Sequence, residues 1–221
     1  MMSSSSKFPD GNWFDADYFE RGRTSGKGWY QNHKWMPQRS FKEALAIIDH
    51  FKLDNKSYVL DIGCAKGFLV RALRELEIKA DGCDISKYAL SFAPEGCWLS
   101  DTEEEWHKHL FKGYTHAFLK DVLEHNTPEQ LDNTLSSIAL VVPILMAIVP
   151  LGDCGKYRIP EYHCDISHIL IQNEEWWCDK FKENNWIVKD KTYHIPGLKD
   201  NWQSYANGIG NMVFILERIN A

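Results

Sequence analysis

The stretch from Tyr58 to Phe68, YVLDIGCAKGF, has the residue types of a ligand-binding turn. Apolar residues predict a buried strand, the acid Asp61 stands near its end, and glycines follow at Gly63 and Gly67. Because glycine has no Cβ, a ligand can lie directly against the backbone of such a turn. The spacing is not that of the dinucleotide-binding pattern GxGxxG, and no Gly-Lys-Ser/Thr follows as in a phosphate loop. The turn therefore predicts a nucleotide-like ligand of another kind.

Two further acids stand where the next two predicted strands end. Asp84 follows the glycine turn by about twenty residues, where an acid can accept hydrogen bonds from both ribose hydroxyls. Asp101 follows the third strand. Ligands of open α/β sheets bind at the carboxyl ends of the strands, so we expect Asp61, Asp84 and Asp101 to face one site. Carboxylates disfavour a phosphate, which needs N–H or cationic donors. Each acid could also be a plain strand-end or helix-cap residue.

The elements that would position these acids alternate between strands and helices. Hydrophobic patterns predict strands over 58–61, 80–84, 97–100, 115–120 and 141–148, followed by two late strands over 186–194 and 212–218. Helices are predicted over 40–51, 68–76, 102–110 and 173–184, and from near Ser86 and Thr127; capping boxes are expected at Ser40–Glu43 and Thr127–Gln130. This order predicts an α/β fold: a doubly wound, mostly parallel sheet with an antiparallel hairpin at one edge.

The turn resembles motif I, Asp/Glu-x-Gly-x-Gly-x-Gly, of the class I S-adenosylmethionine-dependent methyltransferases, with Ala65 at the middle glycine. The resemblance implies their seven-stranded, Rossmann-like, three-layer α/β/α fold and S-adenosylmethionine as the cofactor. That cofactor carries a cationic sulfonium and no phosphate, so acid-lined walls suit it. The resemblance puts Asp101 at the adenine amino group. The predicted cofactor-binding residues are Asp61, Gly63, Cys64, Ala65, Gly67, Asp84, Ile85, Asp101 and Lys120.

A second group of chemically active residues follows the fourth and fifth strands. The segment from Asp121 to His125 resembles the D-x-x-E-H stretch of many small-molecule methyltransferases, and the one from Asp165 to His168 resembles their D-x-x-H. In one interpretation Asp121, His125 and His168 are catalytic: a histidine is the general base, because its pKa lies near working pH, and Asp121, Glu124 or Asp165 orients it.

In a second interpretation the same segments hold a divalent cation, Mg or Mn. Some O-methyltransferases carry Glu-x-x-Glu-His and a later histidine for this purpose. The ligands here would be Asp121, Glu124, His125 and His168, with Asp121 in place of the first glutamate. A third interpretation is that Glu124 and His125 only shape the turn before the next helix.

Two aromatic segments look specialised for the acceptor. Residues 1–39 are predicted to be an aromatic-rich extension that folds as a lid over the cofactor and acceptor, ahead of a methyltransferase domain of residues 40–221. The loop 196–205, PGLKDNWQSY, combines aromatic rings with acids and amides, which suits a sugar, although such rings also serve cores and planar acceptors.

The favoured prediction is an O-methyltransferase that acts on a hydroxyl of a small acceptor, preferably a saccharide or glycan sugar. The alternatives are a quinone or phenol O-methyltransferase, a small-molecule N-methyltransferase, and a non-catalytic binding subunit with the methyltransferase fold.

Composition and charge limit the classes of partner that this chain is expected to bind. The chain has 221 residues and a net charge of −6, with no basic run that would follow a nucleic acid backbone, so no nucleic acid partner is expected. The longest apolar run, 138–151, contains Pro143 and Pro150 and is too short to span a bilayer, so no membrane partner is expected. Six scattered cysteines form no C-x-x-C pair, which favours buried thiols in the cytoplasm. The oligomeric state is left open.

Overall fold

Seven strands form one sheet in the computed structural model, which describes residues 9–101, 103–109 and 112–219. The strands are β1 Tyr58–Ile62, β2 Lys79–Asp84, β3 Trp98–Leu99, β4 His116–Lys120, β5 Ile144–Pro150, β8 Trp186–Thr192 and β9 Asn211–Arg218; β6 Gly152–Asp153 and β7 Lys156–Tyr157 form a separate small hairpin. The helices are α1 Ala16–Ser25, α2 Pro37–Phe51, α3 Phe68–Glu75, α4 Lys87–Leu90, α5 Glu103–His107, α6 Pro128–Val141 and α7 Glu174–Glu183.

The strand order is β3-β2-β1-β4-β5-β9-β8. The first five strands pair in parallel, and β9 runs antiparallel between β5 and β8. The predicted fold class, a mostly parallel seven-stranded sheet with an antiparallel hairpin at one edge, is therefore confirmed. The order in which strands are added to the sheet changes direction between β1 and β4. An open α/β sheet binds its ligand at this switch point.

Helices cover both faces of the sheet because its strands are apolar on both sides. In β4, Ala117 and Leu119 pack with the core under α6 and α7, whereas Phe118 packs with the core under α2 and α3. Successive side chains of a strand point to opposite faces, so one short strand joins both cores. The result is the expected three-layer arrangement.

Two predicted element starts are wrong by three residues each. Helix α2 begins at Pro37 after Met36, without a side-chain cap, and the predicted capping residues Ser40 and Glu43 are buried inside the helix. Proline at the first helical position has the φ angle that a helix needs and no N–H to satisfy, so it starts the helix earlier. Strand β5 begins at Ile144 rather than at residue 141, because α6 continues through Val141.

The capping box predicted at Thr127–Gln130 forms: Gln130 N–H donates to Thr127 Oγ1 at 3.2 Å and Thr127 N–H donates to Gln130 Oε1 at 2.8 Å. Both predicted ends of the helix over 102–110 lie outside the described residues. None of the described helices combines the length and apolarity needed to cross a bilayer.

Candidate active site

A cavity of about 880 Å³ opens at the carboxyl ends of β1, β2 and β4. Such a volume accommodates a small-molecule ligand. Three groups of residues line it. The sheet side contributes Ile62, Gly63, Ala65, Asp84, Ile85, Asp101, Asp121 and His125. The N-terminal segment contributes Phe14, Tyr18, Phe19 and Tyr30, and α6 with the turn before it contributes Asn126, Gln130, Asn133, Thr134 and Ser137.

The glycine turn is held in shape by β2. The N–H groups of Gly63 and Cys64 both donate to the carbonyl of Cys83, at 2.8 and 3.0 Å. Gly63 has a φ of 71°, and a Cβ there would lie 2.4 Å from Val122 Cγ2. Glycine is therefore required by both the backbone angle and the close approach of the residue after β4.

The carboxylate of Asp84 holds the glycine turn in place through hydrogen bonds. Its Oδ2 accepts from Ala65 N–H at 2.8 Å and its Oδ1 from Ser86 N–H at 2.7 Å. Burial raises the pKa of Asp84, and the N–H donors of Ser86 and Ala65 oppose that rise. The carboxylate lines the cavity and keeps lone pairs that a ligand's hydroxyls can use.

Asp61 is buried at the end of β1, and its carboxylate makes no hydrogen bond to the described residues. Burial raises its pKa well above the usual value, and the charge of Glu43 adds to the effect. Lys120, predicted to bind the cofactor, instead forms an ion pair with Glu43 and does not line the cavity.

The remaining predicted cofactor residues divide into two groups. Ile85 and the exposed Asp101 line the cavity. Cys64 and Gly67 do not: the Cys64 thiol packs against Gly82 in the core, and Gly67 is the N-cap of α3, with a φ of 69°. Any contact of these two residues with a ligand would come from the backbone.

A chain of hydrogen bonds runs from the cavity histidine to the N-terminal segment. His125 Nδ1 lies 2.9 Å from the hydroxyl of the buried Ser167. That hydroxyl is bonded to Asp165, and Tyr18 donates to the other oxygen of Asp165 at 2.8 Å. A carboxylate can only accept, so Ser167 uses its one proton on Asp165 and accepts from His125 Nδ1–H. This tautomer leaves His125 Nε2 as the acceptor. Burial lowers the pKa of His125, which favours the neutral imidazole.

Next to these hydrogen bonds lies a buried carboxylate, Glu124, to which no described residue donates. Glu124 is completely buried, and neither of its oxygens has a hydrogen bond within the described part of the chain. His168 Nδ1 lies 3.1 Å from the carbonyl of Tyr162, an acceptor, so Nδ1 carries the proton and the bare Nε2 lies 3.9 Å from Glu124 Oε1. Burial raises the pKa of Glu124 well above its usual value and lowers that of His168 to about 4. Two lone-pair groups that face each other need a proton or a cation between them.

The structure brings together three of the four predicted metal ligands. One donor atom each from Glu124, His125 and His168 falls within a span of 4.8 Å. Asp121, the fourth, forms an ion pair with the buried ammonium of Lys199, which also donates to Asn211 Oδ1 at 2.8 Å. Burial acts to raise the pKa of Asp121, but the Lys199 ammonium outweighs it and the pKa lies below the usual value.

The two aromatic segments have different positions. Residues of the N-terminal segment line the cavity and are anchored to the turn, since Lys66 of the turn pairs with Glu20 and donates to His33 O at 2.8 Å. The loop 196–205 does not line the cavity. Its Trp202 stacks on Tyr162 with ring centroids 4.9 Å apart.

Sequence patterns gave no role to Ser167 or Lys199. Both stand in segments of interest, 165–168 and 196–205, but their contacts with His125 and Asp121 depend on distant parts of the chain. A buried serine two residues after an acid carries no sequence signal of its own.

No family model and no curated protein sequence matches the chain. Solved structures do match. The methyltransferase in complex with the Haloferax volcanii Trm112 methyltransferase activator has 14% identity and a TM-score of 0.62, covering 84% of this chain and 92% of that one. A SAM-dependent methyltransferase from Archaeoglobus fulgidus has 18% identity and a TM-score of 0.57, covering 80% and 94%. The [4+2]-cyclase SpnF has 15% identity and a TM-score of 0.60, covering 96% and 95%.

The fold is that of the class I S-adenosylmethionine-dependent methyltransferases. At these low sequence identities the likeness shows the fold alone. One of the matched structures is a cyclase, so this fold supports reactions of different kinds. The activity of this chain therefore depends on its own cavity residues.

Proposed function

We propose that the chain is an S-adenosylmethionine-dependent methyltransferase that methylates a hydroxyl of a small acceptor. The observation that carries the proposal is a single cavity bordered both by the glycine turn with Asp84 and by His125, the end of a buried hydrogen-bond chain. In this proposal the cofactor and the base would share one cavity, which is what group transfer requires.

The cavity residues fit this cofactor. Asp84, Asp101 and Asp121 give the lining an acidic character, and Lys87 is the only Lys or Arg among the described residues that line it. Such a wall suits a cationic sulfonium and a ribose better than a phosphate. When bound, S-adenosylmethionine supplies a methyl group on that sulfonium. Ile85 and Ala65 offer apolar and backbone surface beside the ribose-binding acid.

His125 is the proposed general base. Its Nε2 takes the proton of the acceptor hydroxyl, and the positive charge that forms on the ring is stabilised through Ser167 by Asp165. The ring centroid of His168 lies 4.7 Å from that of His125, and Asp121, which pairs with Lys199, lines the same cavity. The ring of Phe14 packs edge-on against His125, with ring centroids 5.5 Å apart, and covers part of the imidazole.

A saccharide is the acceptor class we favour. Support comes from the wall formed by α6, where amide and hydroxyl side chains could bind several hydroxyls of one ligand. The loop 196–205 offers no support, because it lies outside the cavity. A phenol, a quinone or an amine would be the acceptor under the alternative functions.

Calorimetric titration with S-adenosylhomocysteine tests the cofactor assignment, and we expect one site with a micromolar Kd. A methyl-transfer screen of sugars, nucleotide sugars, phenols and amines, monitored by mass spectrometry, then tests the acceptor. Absence of binding would contradict the function. Binding without transfer to any acceptor would favour the non-catalytic alternative, and transfer to phenols or amines alone would exclude the saccharide.

A cation-assisted mechanism is the second candidate, because Glu124 has no hydrogen-bond partner in the described structure and lies beside two imidazoles. Glu124, His125 and His168 would hold Mg²⁺ or Mn²⁺, which lowers the pKa of a bound hydroxyl. His125 cannot then act as the base, so the two mechanisms exclude each other. Asp121 would join only if it left Lys199.

The cation site predicts that Mn²⁺ binding depends on Glu124. Titration followed by electron paramagnetic resonance should show one Mn²⁺ per wild-type chain, and Glu124→Gln should weaken binding at least tenfold, because a neutral amide replaces a charged ligand. Glu183→Gln, on the exposed end of α7, is the control and should bind as the wild type does. Equal affinity in Glu124→Gln, or activity unchanged by exhaustive chelation, would eliminate the cation.

A further inference from the structure

The start of helix α1 makes two separate contacts with residues around the cavity. In the first, the carbonyl of Phe14 accepts from the hydroxyl of the buried Ser86. The N–H of Ser86 donates to Asp84 Oδ1 at 2.7 Å, so this contact lies next to the acid proposed for the ribose. In the second, the hydroxyl of Tyr18 donates to Asp165 Oδ2 at 2.8 Å. Phe14 and Tyr18, four positions apart, therefore connect the end of β2 with the segment that carries Asp165.

The contact between Tyr18 and Asp165 is tightly enclosed. Both residues are only 5% exposed, and a Cβ on Gly28 would lie 2.7 Å from both Asp165 Oδ2 and Tyr18 Cε2. The ring of Tyr18 packs edge-on against that of Phe14, with centroids 4.9 Å apart. Burial raises the pKa of Tyr18 well above its usual value, so the phenol keeps its proton and can donate it. The packing thus fixes where the hydroxyl of Tyr18 points.

Three hydrogen bonds hold the carboxylate of Asp165. Its Oδ1 accepts from the N–H of Ser167, at 3.0 Å, and from the hydroxyl of the same residue. Its Oδ2 accepts from Tyr18, and no other described residue donates to that oxygen. A buried carboxylate oxygen without a donor is costly, so the loss of the Tyr18 hydroxyl would free the carboxylate to turn.

The direction of the Ser167 hydroxyl depends on that carboxylate. The hydroxyl has one proton, which points to Asp165 as long as Oδ1 stays in place. Ser167 Oγ then accepts from His125 Nδ1–H at 2.9 Å, and the lone pair of Nε2 stays free to take a proton. If the carboxylate turned away, the same hydroxyl would donate to Nδ1 and the ring proton would move to Nε2. An imidazole in that second tautomer cannot act as a base through Nε2.

We infer that Tyr18 is a positioning residue for the base: its hydroxyl holds Asp165 so that Ser167 keeps His125 in the Nδ1–H tautomer. Tyr18 acts through these two residues and takes no proton itself. Its role in setting the tautomer is a property of the free protein, and its importance for methyl transfer rests on the proposed function.

The same turn of the chain couples this role to the cofactor. A ligand that binds Asp84 also stabilises Ser86, whose hydroxyl holds the carbonyl of Phe14. Because Phe14 and Tyr18 belong to one turn, binding at Asp84 stabilises the contact of Tyr18 with Asp165 as well. The base is therefore aligned most firmly when the cofactor is bound.

Heteronuclear NMR of the imidazole nitrogens tests the positioning role in the free protein. The wild type should show a protonated Nδ1 and a bare Nε2 for His125, whose signals are assigned by their loss in His125→Gln. Tyr18→Phe removes only the hydroxyl, and the two resonances should move toward each other as the second tautomer becomes populated. Tyr88→Phe is the matched control, because its hydroxyl donates to Glu20 of the same segment at 3.0 Å and not to Asp165. It should leave the His125 signals unchanged.

Two further variants show whether Tyr18 acts through its proposed partners. Gly28→Ala keeps the hydroxyl but inserts a methyl group between Tyr18 and Asp165, so it should cause the same shift. Ser167→Ala should do so too, and adding Tyr18→Phe to it should change nothing more. Unchanged His125 signals in Tyr18→Phe, or additive effects in the double variant, would overturn the positioning role. Thermal unfolding checks the fold of each variant, and Gly28→Ala decides the matter if Tyr18→Phe does not fold.

Hydrogen exchange of the Ser167 amide tests the coupling to the cofactor. This N–H donates to Asp165, so Tyr18→Phe should speed its exchange about tenfold in the free protein. Saturating S-adenosylhomocysteine should slow the exchange in the wild type and in Tyr88→Phe, but not in Tyr18→Phe. Protection that is absent in the wild type, or equal in all three proteins, would contradict the coupling. If calorimetry shows no binding to the wild type, the proposed function fails, while the imidazole spectra still decide the role of Tyr18.

Discussion

Asp84→Ala is expected to weaken S-adenosylhomocysteine binding by about a hundredfold. The carboxylate holds Ala65 N–H and Ser86 N–H, so the substitution frees the glycine turn and also removes the acceptor proposed for the ribose. Each hydrogen bond to a charged group contributes about 1.5–3 kcal/mol, and each 1.4 kcal/mol changes affinity tenfold. Calorimetry at several temperatures would measure the loss.

Two further variants make this result specific. Asp84→Asn keeps one acceptor oxygen and faces the other N–H with its amide donor, so an intermediate loss is expected. Asp153→Ala removes an exposed acid on β6 that pairs with Arg158 and lies outside the cavity, and it should bind like the wild type. Full affinity in Asp84→Ala would show that the cofactor does not use this strand end.

His125→Gln should reduce turnover of the acceptor found by the screen by about a hundred- to ten-thousand-fold, the usual contribution of a general base. The affinity for S-adenosylhomocysteine should stay within twofold, because His125 belongs to the acceptor end of the cavity. Stopped assays that follow methyl incorporation would give kcat and KM separately, and the loss is expected in kcat.

Ser167→Ala distinguishes a base from a merely buried histidine. It leaves the imidazole in place but removes the group that fixes its tautomer, so a loss of about tenfold in kcat is expected. His50→Gln, on α2 away from the cavity, is the control and should keep full activity. If His125→Gln were as active as the wild type, that result would contradict both mechanisms, because each of them requires His125.

The strand-end acids and the glycine turn could be predicted because their signals are local. A strand, a turn and a helix that follow one another in sequence also follow one another in space, and parallel strands bring Asp61 and Asp84 to the same edge. The pairing of Thr127 with Gln130 was likewise predictable, since both atoms of each bond lie within one helical turn.

The contacts that position His125, Asp121 and Asp165 join residues far apart in the chain. Ser167 meets His125 across 42 positions, Lys199 meets Asp121 across 78, and Tyr18 meets Asp165 across 147. No periodicity encodes such pairs, because they depend on how loops from different strands pack together. For the same reason the sequence could not indicate that the loop 196–205 lies outside the cavity, or that Lys120 turns to Glu43.

The sequence alone determined the fold class and the class of cofactor to expect, because hydrophobic alternation and glycine geometry act over a few residues. Only the tertiary structure decided which of those residues face one cavity. Within the described residues it left Glu124 without a hydrogen-bond partner and joined His125 to Asp165 through Ser167. Burial and the satisfaction of polar groups are properties of the packed whole, so they appear only when the distant segments have come together.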